Sequence, residues 1–361
     1  MVEPGQLGFR QREFEIGDRF EFSRFAVSRR RIRIRGMEST KASLEKIAPG
    51  IHAWMQPATG WSRNNAGLVA GDESALIVDT LFDLPLTRTM LDAMRAACPL
   101  KVRYLVNTHS NADHVHGNQL VEGAEIIAHR NCREEMRRAG DPSMFERMVR
   151  EGIPGRDLAY VRESFGMFDF RGIKSCLPSL TFDARMTVHL GERAVELMHF
   201  GPAHTMGDVA AFVPDARVLF AGDLLFYTDT PVVWQGSLTG WMAALETMAA
   251  MDPAVVVPGH GPLCGKEGLL ELREYFTLVG EQSARHFKAG IDADEAARRI
   301  DLGRFMKWTL PERLVAIVDK CYRDLNGQPD DAPVDALGML ARMGKLRDYW
   351  RERGVSGHAN P

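Results

Sequence analysis

Short apolar runs separated by turn residues fill the first two thirds of the chain, and helical spacing takes over in the last third. Pro49-Gly50 is a turn signal. After it, Ile51-His52-Ala53-Trp54-Met55 and Ala66-Gly67-Leu68-Val69-Ala70 read as strands, and Ser74–Asp79 reads as a buried strand ending in an acid. Pro85 to Ala97 places Leu86, Met90, Leu91 and Met94 on one helical face. Val102–Asn107 and Glu125–Ala128 are further strands, and a charged helix starts near Asn131. Residues 141–175, rich in Met, Arg and Gly, read as an insertion of helix and loop. Strands follow at Met186–Leu190, Ala194–Phe200, Val209–Val213, Val218–Ala221 and Ala254–Val257, with a helix from about Ser237 to Met251 before the last. From there the spacing predicts helices at Gly268–Gly280, Ala293–Ile300, Pro311–Leu325 and Val334–Arg351. Mixed strands and helices followed by helices alone predict an α/β domain with a helical tail.

Composition changes this picture little. The 361 residues are 45% hydrophobic and 26% charged, near the average for globular domains, and the net charge is −3. No apolar run is long enough to span a bilayer, so no membrane partner is expected. Five scattered cysteines without a CxxC pair predict free thiols and a cytoplasmic chain. The charge is uneven. Residues 1–36 hold nine Arg and five acids, a balance of +4, which leaves −7 for the rest. Residues 1–42 therefore read as a basic arm, or as an over-extended start with Met37 as the working first residue. The acidic body offers no track for a polyanion, so no nucleic-acid partner is expected.

Candidate chemistry concentrates at strand ends. Asn107-Thr108-His109-Ser110-Asn111-Ala112-Asp113-His114-Val115-His116-Gly117-Asn118 follows a buried strand. Imidazole and carboxylate are the ligands that suit zinc and related ions. His204, Asp223 and His260 each follow another apolar strand, beside Gly or Pro. One such residue would be a cap or a turn; four such places in one chain point to an assembled metal centre.

These motifs resemble the metallo-β-lactamase-fold superfamily over about residues 45–265. Residues 108–117 match T-H-x-H-x-D-H-x-x-G with Asn111 in place of the second His. The resemblance implies a four-layer αββα sandwich over residues 43–265, with residues 266–361 as a helical extension packed on it. It implies that His109, Asn111 and His204 hold a first metal and that Asp113, His114 and His260 hold a second. Asp223 would bridge the two, and Asp79 would orient the ligand loop. Neutral Asn is a weaker zinc ligand than imidazole. The centre is therefore expected to hold two zinc ions with Asn111 ligating, one zinc at the second site, or iron at His109, His204 and Asp223.

The function expected is metal-assisted hydrolysis of a small ester, thioester, lactone or amide, with Asp113 also holding the attacking water. His116 is a candidate to support a ligand or face the substrate, or is simply a loop histidine, and Tyr227 with Trp234 either pack under their loop or wall the pocket. An iron oxygenase of the persulfide dioxygenase type and a non-catalytic scaffold that dimerises through the tail are the alternatives. Cys264 follows the His260 loop, but its expected place is the core. His52, His129, His189, His199, His286 and His358 lack partner spacing and read as structural or exposed.

Overall fold

The computed structural model describes residues 41–57 and 59–355. All of the basic arm before residue 41, and His358, lie outside the described residues. Seven strands form the first sheet, in the spatial order β1 to β7. They are β1 (Ser43–Ala48), β2 (Ile51–Met55), β3 (Ala66–Ala70), β4 (Ala75–Val78), β5 (Val102–Val106), β6 (Glu125–His129) and β7 (Leu180–Phe182). Pairing is antiparallel from β1 to β4 and parallel from β4 to β7. The second sheet runs β12-β11-β10-β9-β8. Its members are β8 (Arg185–Leu190), β9 (Arg193–His199), β10 (Val209–Val213), β11 (Val218–Phe226) and β12 (Val255–His260).

The period-2 alternation of the strands builds the layers. Leu76 and Val78 of β4 face Val218 and Phe220 of β11 in the core between the sheets. Ala75 and Ile77 point the other way. There they meet Met90, Leu91 and Met94 of α1 (Leu84–Ala97). Leu219 and Ala221 likewise turn outward onto α6 (Leu238–Ala250). Strands covered on both faces must be apolar at every position, which is why they read as continuous runs. The helix starts are written locally: the side chains of Asp83 and Ser237 cap α1 and α6 by accepting from Leu86 N and Gly240 N.

Four further α-helices lie between β5 and β7: α2 (Ala112–Val115), α3 (Arg130–Ala139), α4 (Ser143–Arg150) and α5 (Ala159–Phe165). The tail holds α7 (Lys266–Lys288), α8 (Ala293–Arg299), α9 (Leu314–Leu325) and α10 (Ala336–Glu352). Tail and insertion share one core with the outer face of the second sheet, through Tyr160, Phe165, Leu219, Trp241, Tyr275, Ile317 and Trp350.

Some elements depart from the sequence pattern. β1 and β7 were not expected; Glu45, Lys46 and Thr181 break their apolar runs. Both are edge strands, where polar positions are tolerated and pairing with one neighbour suffices. β11 continues past Ala221 through Asp223 to Phe226, all of it buried. α7 runs 23 residues, longer than its strongest apolar spacing indicated.

Candidate metal centre

The candidate ligands converge from three strand ends, the interior of a fourth strand and one short helix. His109 follows β5, and Asp113 and His114 sit on α2, the single turn that Asn111 opens. His204 lies in the β9–β10 loop, Asp223 inside β11, and His260 ends β12. Asp223 divides its oxygens between two sets. Oδ1 lies 3.1 Å from His114 Nε2 and 3.4 Å from His260 Nε2. Oδ2 lies 3.4 Å from His204 Nε2 and 3.7 Å from His109 Nε2. Asp113 Oδ2 is 3.5 Å from His260 Nε2. The ligand atoms of His109, His114 and Asp223 lie within 4.8 Å of one another, and so, as a separate group, do those of Asp113, His114 and His260.

Each imidazole is turned by a partner on its outer nitrogen. Asp79, just after β4, accepts from Thr108 N at 2.8 Å and Thr108 Oγ1 at 2.7 Å, and from His114 Nδ1 at 2.9 Å. With its proton committed to Asp79, Thr108 Oγ1 is left to accept from His109 Nδ1 at 3.0 Å. His204 Nδ1 donates to the Val232 carbonyl at 2.6 Å. In all three rings the unprotonated Nε2 therefore faces inward, the tautomer a metal needs. His260 is held instead by stacking flat on Phe226, with ring centroids 5.0 Å apart.

The test of fit is the state of the inner atoms. His109 Nε2, His114 Nε2 and Asp223 Oδ1 are buried without any hydrogen-bond partner. Each buried orphan costs about 1–3 kcal/mol, and three facing one another are polar atoms that a bound cation would satisfy together. The donor set of imidazoles and carboxylates suits a divalent ion such as zinc. Electrostatics agree. Burial, aided by neighbouring imidazoles, holds His109 well below its ordinary value, and burial also lowers His204. At His114 burial acts in the same sense, but the carboxylates of Asp223, Asp79 and Asp113 outweigh it and raise the ring. At Asp223 burial is outweighed by His260, His114 and His109, which hold the carboxyl low. The carboxylates thus favour positive charge at the centre of the cluster, the condition a bound cation would satisfy.

Other residues singled out from the sequence fall as follows. Asn111 Nδ2 lies 2.8 Å from His204 Nε2, so Asn111 borders the Oδ2 side of Asp223. His116 stacks on Phe82 (5.6 Å, 8°), with Nδ1 3.1 Å from the Phe82 carbonyl and Phe145 and Phe170 at its edges. Burial lowers it to about 4, so it is a neutral ring in an aromatic cluster. Tyr227 packs beside Gly268 of α7, with Cys264 next to it. Trp234 packs half-buried against the tail core. Cys264 is buried behind β12, where burial pushes its thiol up. All five cysteines are free.

Sequence reasoning missed several contributors. Asn64 reads as turn chemistry, yet it bridges to His260 and donates to Thr80 O at 2.8 Å. Asn65 donates to Pro258 O and Gly261 O, at 3.0 and 2.8 Å. The doubled Asn before a strand was the available signal. Phe226 and the Val232 carbonyl carried none, because an apolar side chain and a backbone oxygen look alike everywhere. Arg313, from the tail, is fully buried 4.0 Å above the Trp61 ring and 6.0 Å from Phe226. It pairs with Asp229 at 3.2 Å.

Two sheets packed face to face, flanked by helices, with a His/Asp cluster at their strand ends, define a metal-binding αββα sandwich. Residues 59–260 match the model of the metallo-beta-lactamase superfamily, and the chain belongs to that family. A metallo-beta-lactamase from Pontibacter korlensis shares the fold at a TM-score of 0.51 and 18% identity, over 65% of this chain and 98% of that one. Among curated proteins the chain is similar to a linear primary-alkylsulfatase of a Pseudomonas species, at 23% identity over 65% of this chain and 49% of that protein. It is also similar to an acyl-coenzyme A thioesterase of Bos taurus, at 27% identity over 65% of this chain and 87% of that protein. A hydroxyacylglutathione hydrolase of Acidiphilium cryptum matches at 32% identity over 31% of this chain and 38% of its own length. The chain thus spans about half the length of the alkylsulfatase. Among the described residues no helix is long and apolar enough to cross a membrane.

Proposed function

We propose that the chain is a metal-dependent hydrolase of a small ester, thioester, lactone or amide, with a divalent metal, most simply zinc, as its cofactor. The observation that carries this reading is the inward-facing set of buried His109 Nε2, His114 Nε2 and Asp223 Oδ1 without hydrogen-bond partners. The relatives named above, a thioesterase and a hydroxyacylglutathione hydrolase among them, support hydrolysis as the reaction class.

A bound divalent ion would supply a water acidic near neutral pH and a Lewis acid for a carbonyl oxygen. The protein's own part is orientation. Asp223 serves both halves of the centre, because each of its oxygens faces a different pair of imidazoles. Asp113 is the less buried carboxylate, at the rim beside His260. In that position it can hold a water against the substrate while accepting its proton. Asn111 completes the His109/His204 half, and rotation of its amide offers the carbonyl oxygen.

One observation favours a second reading. His109 and His204 approach the same oxygen of Asp223, which is the two-His, one-carboxylate set that suits iron. Metal analysis of the purified protein, paired with a panel of p-nitrophenyl esters, acyl thioesters and lactones, separates the two. Zinc at one to two equivalents is expected, with a hydrolytic activity that chelation or His114→Ala lowers at least 100-fold. One iron per chain with oxygen consumption establishes the oxygenase instead. No bound divalent ion overturns both, and unchanged hydrolysis in His114→Ala overturns the hydrolase reading.

A further inference from the structure

The loop that carries His204 is gripped by α3, an element that supplies no candidate ligand. Asn131 and Glu135 lie four residues apart on α3, hence on one face. They hold the backbone of one residue, Met206, through its carbonyl and its N–H. Asn131 Nδ2 donates to the Met206 carbonyl at 3.1 Å, and Met206 N donates to Glu135 Oε1 at 3.1 Å. His199 Nε2 adds a second donor to that carbonyl at 3.2 Å. The other Glu135 oxygen, Oε2, accepts from Ser110 Oγ at 2.8 Å. Ser110 stands between His109 and Asn111, so one carboxylate ties the two loops that form the Oδ2 side of the centre. The approach is close: a Cβ on Gly207 would lie 2.5 Å from Cys132 N, so only glycine lets the loop reach the helix.

We propose that Glu135 is a positioning residue that sets the spacing of His109, Asn111 and His204 and thereby the metal affinity of that half alone. The inference rests on the metal-centre reading above and deepens it. Two imidazoles and a neutral amide are a weaker set than three imidazoles. Their affinity depends correspondingly more on being held ready before the ion arrives. The opposite half lacks this dependence. His114 is turned by Asp79, His260 is stacked on Phe226, and Asp113 sits on α2. A change at Glu135 therefore separates the halves. A general loss of fold would weaken both.

The test is zinc binding by equilibrium dialysis against a competing chelator, with anomalous diffraction to locate each ion. Wild type, Glu135→Gln and Glu135→Leu are compared, each with its metal-free melting temperature. Wild type is expected to fill both halves. Glu135→Leu should weaken the His109/Asn111/His204 ion about 10- to 100-fold, the usual effect of losing an outer-shell partner, and leave the Asp113/His114/His260 ion unchanged. Glu135→Gln retains one acceptor and should fall between. Equal affinity for both ions in Glu135→Leu and wild type overturns the proposal, as does a wild type that never fills the His109 half, or equal weakening of both halves. A wild type that binds no zinc at all overturns the metal-centre reading itself and is thus a distinct outcome.

Discussion

Asp79 adopts φ +61°, a left-handed backbone that a side-chain-bearing residue rarely takes. Such residues cost about 1–3 kcal/mol and persist where their surroundings hold them. Here the return is three donors on one buried carboxylate, two from Thr108 and one from His114. A different pair shows how far contact outruns sequence spacing. His129 and His199 lie 70 residues apart, yet their rings stack at 3.6 Å and 1°. Burial, with His199 beside it, lowers His129 to about 4. The unfolded chain takes up a proton near pH 6.5, and the folded one does not until about 4. Its contribution to stability is thus complete above pH 6.5 and falls as pH drops through that window. Urea midpoints should decline from pH 7 to pH 5 in wild type and decline less in His129→Phe, which retains a ring against His199. Equal declines would show that His129 charges freely in the folded state.

At the level of elements, the crossing of β11 and β12 decides where the bridging carboxylate sits. The parallel register breaks twice, so Gly222 meets Pro258 and Phe226 meets His260. A Cβ on Gly259 would lie 2.0 Å from Asp223 Oδ1 and 2.7 Å from the Gly222 carbonyl carbon. Gly259→Ala should therefore push Asp223 out of place although it changes no ligand. Overpacking of this kind costs about 1–3 kcal/mol. Zinc per chain and the melting temperature should fall together. A variant with full zinc content would show that the crossing has more room than the geometry allows. The short helix α2 acts in the opposite sense: its turn places Asp113 and His114 side by side on the Oδ1 side of Asp223, while Asn111 before it lies on the other.

Across the whole molecule, the tail completes the sandwich. Its helices cover the outer face of the second sheet and meet the insertion, where Arg347 pairs with Glu163 and Gly344 faces Tyr160. The deepest link is Arg313 with Asp229, both buried, in the same layer as the Phe226–His260 stack. Removing one partner of a buried pair leaves an uncompensated charge at about 3–5 kcal/mol. Arg313→Ala should lose that much in urea unfolding. Arg313→Met with Asp229→Asn should lose less than the single change. Losses that simply add would mean that the two groups do not support each other.

The apolar runs and the His/Asp residues after strands were readable in the chain, because they obey local rules. Alternation reports a strand, and a polar residue after a strand reports a loop able to carry chemistry. The αββα sandwich and the seven candidate metal residues followed from those signals and the family resemblance. Edge strands such as β1 escaped, because one neighbour, not their own pattern, makes them strands. Asn131, Glu135, His199, Val232, Phe226 and Arg313 also escaped. Each acts on a residue distant in sequence, and no local periodicity encodes a partner brought near only by the packing of two sheets. Tertiary structure alone decided that Asp223 presents one oxygen to each pair of imidazoles, since that depends on the β11–β12 register and on the angle at which the sheets meet.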